Sequence, residues 1–279
     1  MNFDRFRFQQ DVEILLGCRD ISKWGSYLQK FKSFNLNQDN IDNLKIGLYE
    51  DGLDCLYKGV YSISNAIFNI HHHYYSWAVI KLYYSVFYLL KCYFSARNIG
   101  FLKNGGIYTL KLDVGEVPVR RDCTEYKGNR ITGEHKTILT TFEKEFIDQD
   151  ILLSNEIRGM TIYNWLMDMR ELVNYRERSF IEPEIKYFPV ELFGDKPLKD
   201  SLEIYFKDTV PIYCFDEQHA CIAAPIKILQ LVSKFFYDNT GLRLSEDRVD
   251  VIKSMLAPTG LNNLVDMQKI LSPQNILSG

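Results

Sequence analysis

The chain has no phosphate-binding loop, no dinucleotide fingerprint, no nucleophile elbow and no H-E-x-x-H helix. The glycines of KNGGIY lack both the spacing and the following Lys-Ser or Lys-Thr of a phosphate cradle, so classical nucleotide hydrolysis is set aside. No C-x-x-C pair occurs either. Cys18, Cys55, Cys92, Cys123, Cys214 and Cys221 are scattered, which argues against a zinc ribbon or a disulfide framework and for reduced thiols in the cytoplasm. Neither sign of charge dominates: 33 basic against 36 acidic residues leave −3, so no global field attracts nucleic acid and any polyanion contact is local. The start, MNFDRFRFQQDVEILLG, interleaves charges with aromatics and lacks the apolar core of a secretory leader. Long uncharged apolar runs are missing too. The most membrane-like one, Trp77 to Phe94, is interrupted by Lys81 and Lys91 and reads as a buried helix, so no membrane association is expected. No internal repeat or low-complexity segment appears.

What the chain does have is apolar content, 46% of 279 residues, enough for one large core and a second, smaller unit. Residues 1–36 read as an irregular or short helical lead-in. From Asn37, Asp and Asn caps precede Ile41, Leu44, Leu48, Leu53, Leu56, Val60, Ile63 and Ile67 at helical spacing, as one long helix or two broken near Gly52. A second helix places Trp77, Ile80, Tyr84, Phe87, Leu90 and Phe94 on one face and is apolar almost all round, as a central helix is. Glycines and β-branched pieces over about 100–135 predict a loop or β-hairpin insert with nearly balanced charge. HKTILTTFEKEF then resumes the helical period, and a helix is predicted over 156–180. Beyond Pro183, IKYFPVEL, SLEIYFKD, VPIYCFDE and ACIAAPI read as short strands, followed by helices over Lys227–Asn239 and Glu246–Met255. The tail from Ala257 is polar and expected to pack loosely or dock on a partner. The fold expected is mainly α: a helical bundle over 37–182 with its insert, then a small α/β unit over 183–279.

Within WLMDMRELVNYRER, the residues Ile162, Trp165, Leu166, Met169, Val173 and Phe180 share one apolar stripe. Arg170, Asn174 and Glu177 gather on its flank, Arg176 projects close to its middle, and Tyr175 lies on the far side. A cation at a stripe centre is paired, snorkelling, or in a site, and Glu171 and Glu177 are the nearest candidate partners. His71 to His73 invite a metal reading, but consecutive helical positions point ~100° apart and cannot converge on one ion. A histidine cluster at a helix entry, open to titration or partner contact, is the plainer reading. His135 opens a helix and serves as a general acid or base if the fold brings it to Arg170, or else as a polar residue near a helix start. His219 reads as a turn residue. No metal and no cofactor is implied.

Together, YYSWAVIKLYYSVFYLLKCYFSARNIGF, HKTILTTFEKEF and MRELVNYRERSF resemble the HEPN superfamily, more closely its YaaC-like and related bacterial branches, over residues 40–182. The resemblance implies an up-and-down helical bundle, often a homodimer, in bacterial antiviral-defence or toxin-type systems. Many such proteins are metal-independent ribonucleases in which an Arg, followed by four to six residues and a His, assists with that His the attack of a ribose 2′-OH on phosphate. Arg170 matches the Arg, and Asn174 matches a polar residue often found beside it. The His is missing, because Tyr175, Arg176 and Glu177 occupy its positions. Two readings follow. One is a catalytically degenerate module that binds RNA, a nucleotide or a partner protein, with Arg170, Arg176 and Arg178 as anion contacts. The other is an active endoribonuclease whose proton carrier is Tyr175, Glu177, His135, or His72 supplied by a second copy.

Overall fold

The structure is a computed structural model that describes residues 5–194 and 196–273. It is mainly helical, with a small sheet region. Contacts group Met1–Cys55 with Leu90–Lys144 as one compact unit, and Leu56–Leu89 with Glu145–Gly279 as another. Those units cut across the linear boundaries read at residues 36 and 182, because two long helices each contribute one part to each unit.

The first unit begins with α1 (Arg7–Leu15) and α2 (Leu28–Lys32). This lead-in is no peripheral arm: Phe8, Val12, Trp24 and Phe31 are buried with Leu44 and Leu48 and with the sheet residues Leu102, Tyr108 and Leu110 in one core cluster. Its anchor is Asp51, whose carboxylate accepts the backbone N–H groups of Arg7 and Phe8 at 2.8 and 2.9 Å and so satisfies the start of α1. Burial pushes the Asp51 carboxyl up to about 6, against the opposing pull of those two hydrogen bonds.

α3 (Gln38–His71) starts where the Asn37 side chain accepts the Asn40 N–H at 2.8 Å. It runs unbroken through Gly52, which settles the choice between one helix and two. It ends at a tight reversal in which His73 takes φ +63° and the Tyr74 N–H reaches back to the Asn69 carbonyl at 2.8 Å. α4 (Tyr75–Ala96) follows, buried over most of its circumference as expected. In the second unit α3 passes close to α4 at Gly59, where a Cβ would lie 2.8 Å from the Leu89 side chain.

The insert is a three-stranded antiparallel sheet of β1 (Ile99–Lys103), β2 (Ile107–Lys111) and β3 (Val119–Arg120), with Phe101 opposite Thr109. A small hairpin of β4 (Glu125–Tyr126) and β5 (Asn129–Arg130) leads into α5 (Glu134–Phe146), which completes the first unit.

The second unit continues with the hairpin β6 (Glu156–Ile157) and β7 (Met160–Thr161), then α6 (Ile162–Glu171), α7 (Leu198–Lys207), α8 (Ala220–Thr240), α9 (Glu246–Leu256) and α10 (Val265–Leu271). Three expectations are corrected here. The helix expected over 156–180 begins only at Ile162, because Arg158 and Gly159 both adopt positive φ and turn the chain into a hairpin first. Among the described residues no strand follows Thr161. SLEIYFKD is helical because Leu202, Tyr205 and Phe206 bury one helical face, and ACIAAPI forms the first turns of α8 despite Pro225. Short apolar runs do not separate strand from helix by periodicity, and burial of Ile222, Ile226, Leu229 and Val232 decides for helix. The tail is packed as well: Leu261, Leu264, Met267 and Leu271 are buried, while the stretch 274–279 lies outside the described residues.

α8 packs against α6, α7 and α10. By length and composition it is the one helix among the described residues apolar enough to cross a membrane, and 67% of that stretch is buried in the protein itself. All six cysteines are free thiols.

Candidate functional site

Arg170 sits on the last turn of α6, where the sequence switches local geometry. Thr161 caps the helix by accepting the Asn164 N–H at 3.4 Å, and Ile162, Trp165, Leu166 and Met169 bury its inner face. From Leu172 to Arg176 the backbone widens into a π-turn, closed by the Glu177 N–H donating to the Leu172 carbonyl at 2.8 Å. The widened turn rotates every later residue away from its 3.6-residue projection. That is why Arg176, projected near the middle of the apolar stripe, is exposed; Phe180 is half exposed because the helical part ends at Arg176 and Glu177 is already extended, so the helix expected to reach 180 stops short of it.

The Arg170 side chain is only 11% exposed. Its guanidinium carbon lies 5.0 Å from the Tyr83 ring centre and 5.9 Å from that of Tyr175, so the cation rests between a buried and an exposed aromatic ring. Compensation is thin. Nη2 meets a Glu171 carboxylate oxygen at 3.3 Å, while the buried Nε has no hydrogen-bond partner. Burial raises the Tyr83 hydroxyl well above its ordinary range, and the nearby Arg170 charge offsets this only in part. Tyr83 therefore remains a neutral donor.

The other candidate residues are held differently. Arg176 pairs with the Asp168 carboxylate, donates to the Asp168 carbonyl at 3.2 Å, and lies 4.0 Å from Glu171. Of the two partners expected from the sequence, Glu171 lies at the edge of ion-pair reach and Glu177 is taken by Lys186, while Asp168 makes the hydrogen-bonded pair. Glu177 pairs with Lys186 and accepts the Tyr187 hydroxyl at 2.6 Å. Those two hydrogen bonds, Lys186 first, hold its carboxyl below the usual range. Asn174 is half-buried in the π-turn, Tyr175 is 74% exposed, and Arg178 is exposed. Behind them Glu182 accepts the backbone N–H and the hydroxyl of Ser76, both at 2.7 Å, fastening the chain after the π-turn to the start of α4.

His135 is the second residue of α5 and belongs to the first unit, whereas Arg170 to Arg178 belong to the second. His71, His72 and His73 are exposed: His71 ends α3, and His72 and His73 form the reversal that leads into α4 at Tyr75. His73 Nδ1 meets the Tyr75 hydroxyl at 2.7 Å. His219 precedes the first residue of α8, and its Nδ1 lies 2.8 Å from the buried Tyr205 hydroxyl, with Tyr213 against its ring. Among the described residues no group of three or more His, Cys, Asp or Glu side chains is placed to hold a metal ion.

Tyr83, Asp168, Lys186 and Glu182 are the partners that sequence reasoning did not name. Asp168 was within reach of a helical projection; Tyr83, far from Arg170 in the chain, left no spacing signal. Comparison with protein-family models, curated proteins and solved structures returns no match for this chain.

Proposed function

We propose that this protein is a catalytically degenerate, HEPN-like cytoplasmic component of a bacterial antiviral-defence or toxin-type system, which binds RNA, a nucleotide or a partner protein through Arg170. The observation that carries this reading is the state of the Arg170 guanidinium: enclosed by Tyr83 and Tyr175, met by one long contact to Glu171, and with Nε unsatisfied. A guanidinium held this way is matched by a phosphate or carboxylate oxygen that completes its hydrogen bonds. Arg178 is the exposed cation nearby in sequence, while Arg176 is committed to Asp168.

The non-catalytic half of the reading is supported by the acid–base character of the neighbours. General acid–base transfer needs a group tuned near neutral pH. Tyr83 is shifted up, Glu177 is shifted down and tied to Lys186, and neither shuttles a proton at pH 7. Incubating the purified protein with total RNA or tRNA, without metal, tests it directly. No cleavage is expected for wild type or Arg170→Ala. Metal-independent cleavage by wild type that disappears in Arg170→Ala would overturn the degenerate reading in favour of an endoribonuclease with an unconventional proton carrier.

A further inference from the structure

Between α1 and α3 the charge balance departs from that of the whole chain. Residues 14–38 carry Arg19, Lys23, Lys30 and Lys32 against Asp20 alone, a surplus of three positive charges in a chain whose total is −3. All four cations are exposed. Asp20 is engaged locally: its carboxylate caps the short helical stretch Ile21–Tyr27 by accepting the Ser22 N–H at 3.0 Å and the Ser22 hydroxyl at 2.7 Å, and it lies 3.8 Å from Lys23. Among the described residues Arg19, Lys30 and Lys32 have no carboxylate partner. The acidic groups that border this stretch lie outside it. Glu13 is buried and paired with Arg5, Asp39 stands at the start of α3, and Glu116 adjoins Leu36, whose N–H its carbonyl accepts at 3.1 Å.

The same stretch exposes aliphatic side chains. α1 turns Phe8, Val12 and Leu16 into the core at helical spacing, and Trp24 and Phe31 follow them inward. Ile14 and Leu15 in the last turn of α1, and Ile21 after it, stay outside at 66%, 38% and 54% exposure. Among the described residues these are the exposed large hydrophobics between 7 and 45, and none is aromatic. Hydrogen bonds gather the pieces: Lys30 Nζ donates to the Leu16 carbonyl at 2.6 Å, and the Tyr27 hydroxyl to the Gly17 carbonyl at 3.2 Å. Both tie the later helical turns to the end of α1, next to Ile14 and Leu15. Exposed cations in excess of carboxylates suit a polyanion, and aliphatic side chains among them suit one with an apolar interior. A nucleic acid meets the first demand and not the second, because stacking needs open rings, whereas Trp24 and Phe31 are buried and Tyr27 is packed on the core. We propose that the end of α1, the Ile21–Tyr27 stretch and α2 form a peripheral docking surface for an anionic lipid bilayer. Ile14, Leu15 and Ile21 enter the headgroup layer, and Arg19, Lys23, Lys30 and Lys32 lie among its phosphates. The lysines within Trp77–Phe94 exclude a span, the ground on which no membrane association is expected from the sequence; docking on a surface needs no span. This surface uses no residue of the Arg170 site and does not depend on the function proposed for it.

Cosedimentation of the full chain with vesicles tests the proposal. Binding is expected to vesicles of phosphatidylcholine mixed with phosphatidylglycerol, with little to phosphatidylcholine alone, and it weakens as salt is raised. Arg19→Ala and Lys32→Ala each lower the partition about fivefold, and Ile21→Ser lowers it about tenfold. Lys207→Ala, which removes an exposed cation of the second unit, leaves it unchanged. Ile14→Trp retains binding, and vesicles shift the emission of the added ring to shorter wavelength. Circular dichroism and melting curves confirm that each variant is folded. Absence of binding to the anionic vesicles, equal binding to phosphatidylcholine alone, or partition unaffected by the Arg19, Lys32 and Ile21 variants would overturn the proposal. So would binding of oligo(dT) that is lost in Arg19→Ala and Lys32→Ala while anionic vesicles go unbound.

Discussion

Arg170 shows how a buried cation is kept without a strong ion pair. A guanidinium carries several N–H donors, and here one of them, on Nη2, has an acceptor, at 3.3 Å. The rest of its support comes from Tyr83 and Tyr175, contacts worth about 0.5–2 kcal/mol. Against this stands the unsatisfied Nε, a liability of about 1–3 kcal/mol. The two effects nearly offset. Arg170→Ala is therefore expected to change stability by no more than about 1–2 kcal/mol, as read from urea denaturation, whereas breaking a well-formed buried pair costs about 3–5 kcal/mol. A loss in that upper range would mean that Arg170 is a structural residue and would remove the main support for its role in binding.

At the scale of elements, two carboxylates anchor helix starts. Glu182 binds both the N–H and the hydroxyl of Ser76 at the beginning of α4. Glu182→Ala is expected to cost about 1–2 kcal/mol, in the range of lost helix caps with a buried hydroxyl left over, and Glu182→Gln less, since one acceptor is retained. Asp51 plays the corresponding part for α1, with a different dependence on pH. Its folded-state pKa, about 6, lies above the ordinary carboxyl value. The protonated form is thus favoured by folding, and the stability this contributes is full below about pH 4 and lost as pH rises through about 6. Asp51→Asn, neutral at every pH, is expected to be more stable than wild type at pH 7.5 by about 1 kcal/mol, the desolvation cost outweighing the lost charge–dipole attraction. Melting temperatures from pH 4 to 8 check this: the wild-type advantage at low pH shrinks and reverses. Unchanged relative stability across that range would show that the two backbone hydrogen bonds cancel the effect of burial, and a wild-type advantage that grows with pH would show that they dominate it.

At the scale of the whole molecule, the HEPN-like reading carries an expectation of self-association. Light scattering on the purified chain is expected to give twice the 32.7 kDa of one copy. A monomer at all accessible concentrations would remove the homodimer and, with it, any scheme in which a second copy supplies His72. Mainly helical structure was legible in the sequence, because long segments such as 38–71 and 75–96 repeat their apolar residues every three to four positions and burial follows directly from that spacing. The insert was legible as a glycine-punctuated hairpin region for the same local reason. The strands expected after Pro183 were not, since runs as short as ACIAAPI fit either period until something packs on them. The Arg170 helix was visible as a polar break in an apolar stripe, and its cap, stripe and cation are all local features. What tertiary structure alone decided was the environment of that cation. The π-turn that swings Arg176 toward Asp168, and the fold that brings Tyr83 over Arg170, depend on contacts and backbone geometry that helical periodicity does not encode.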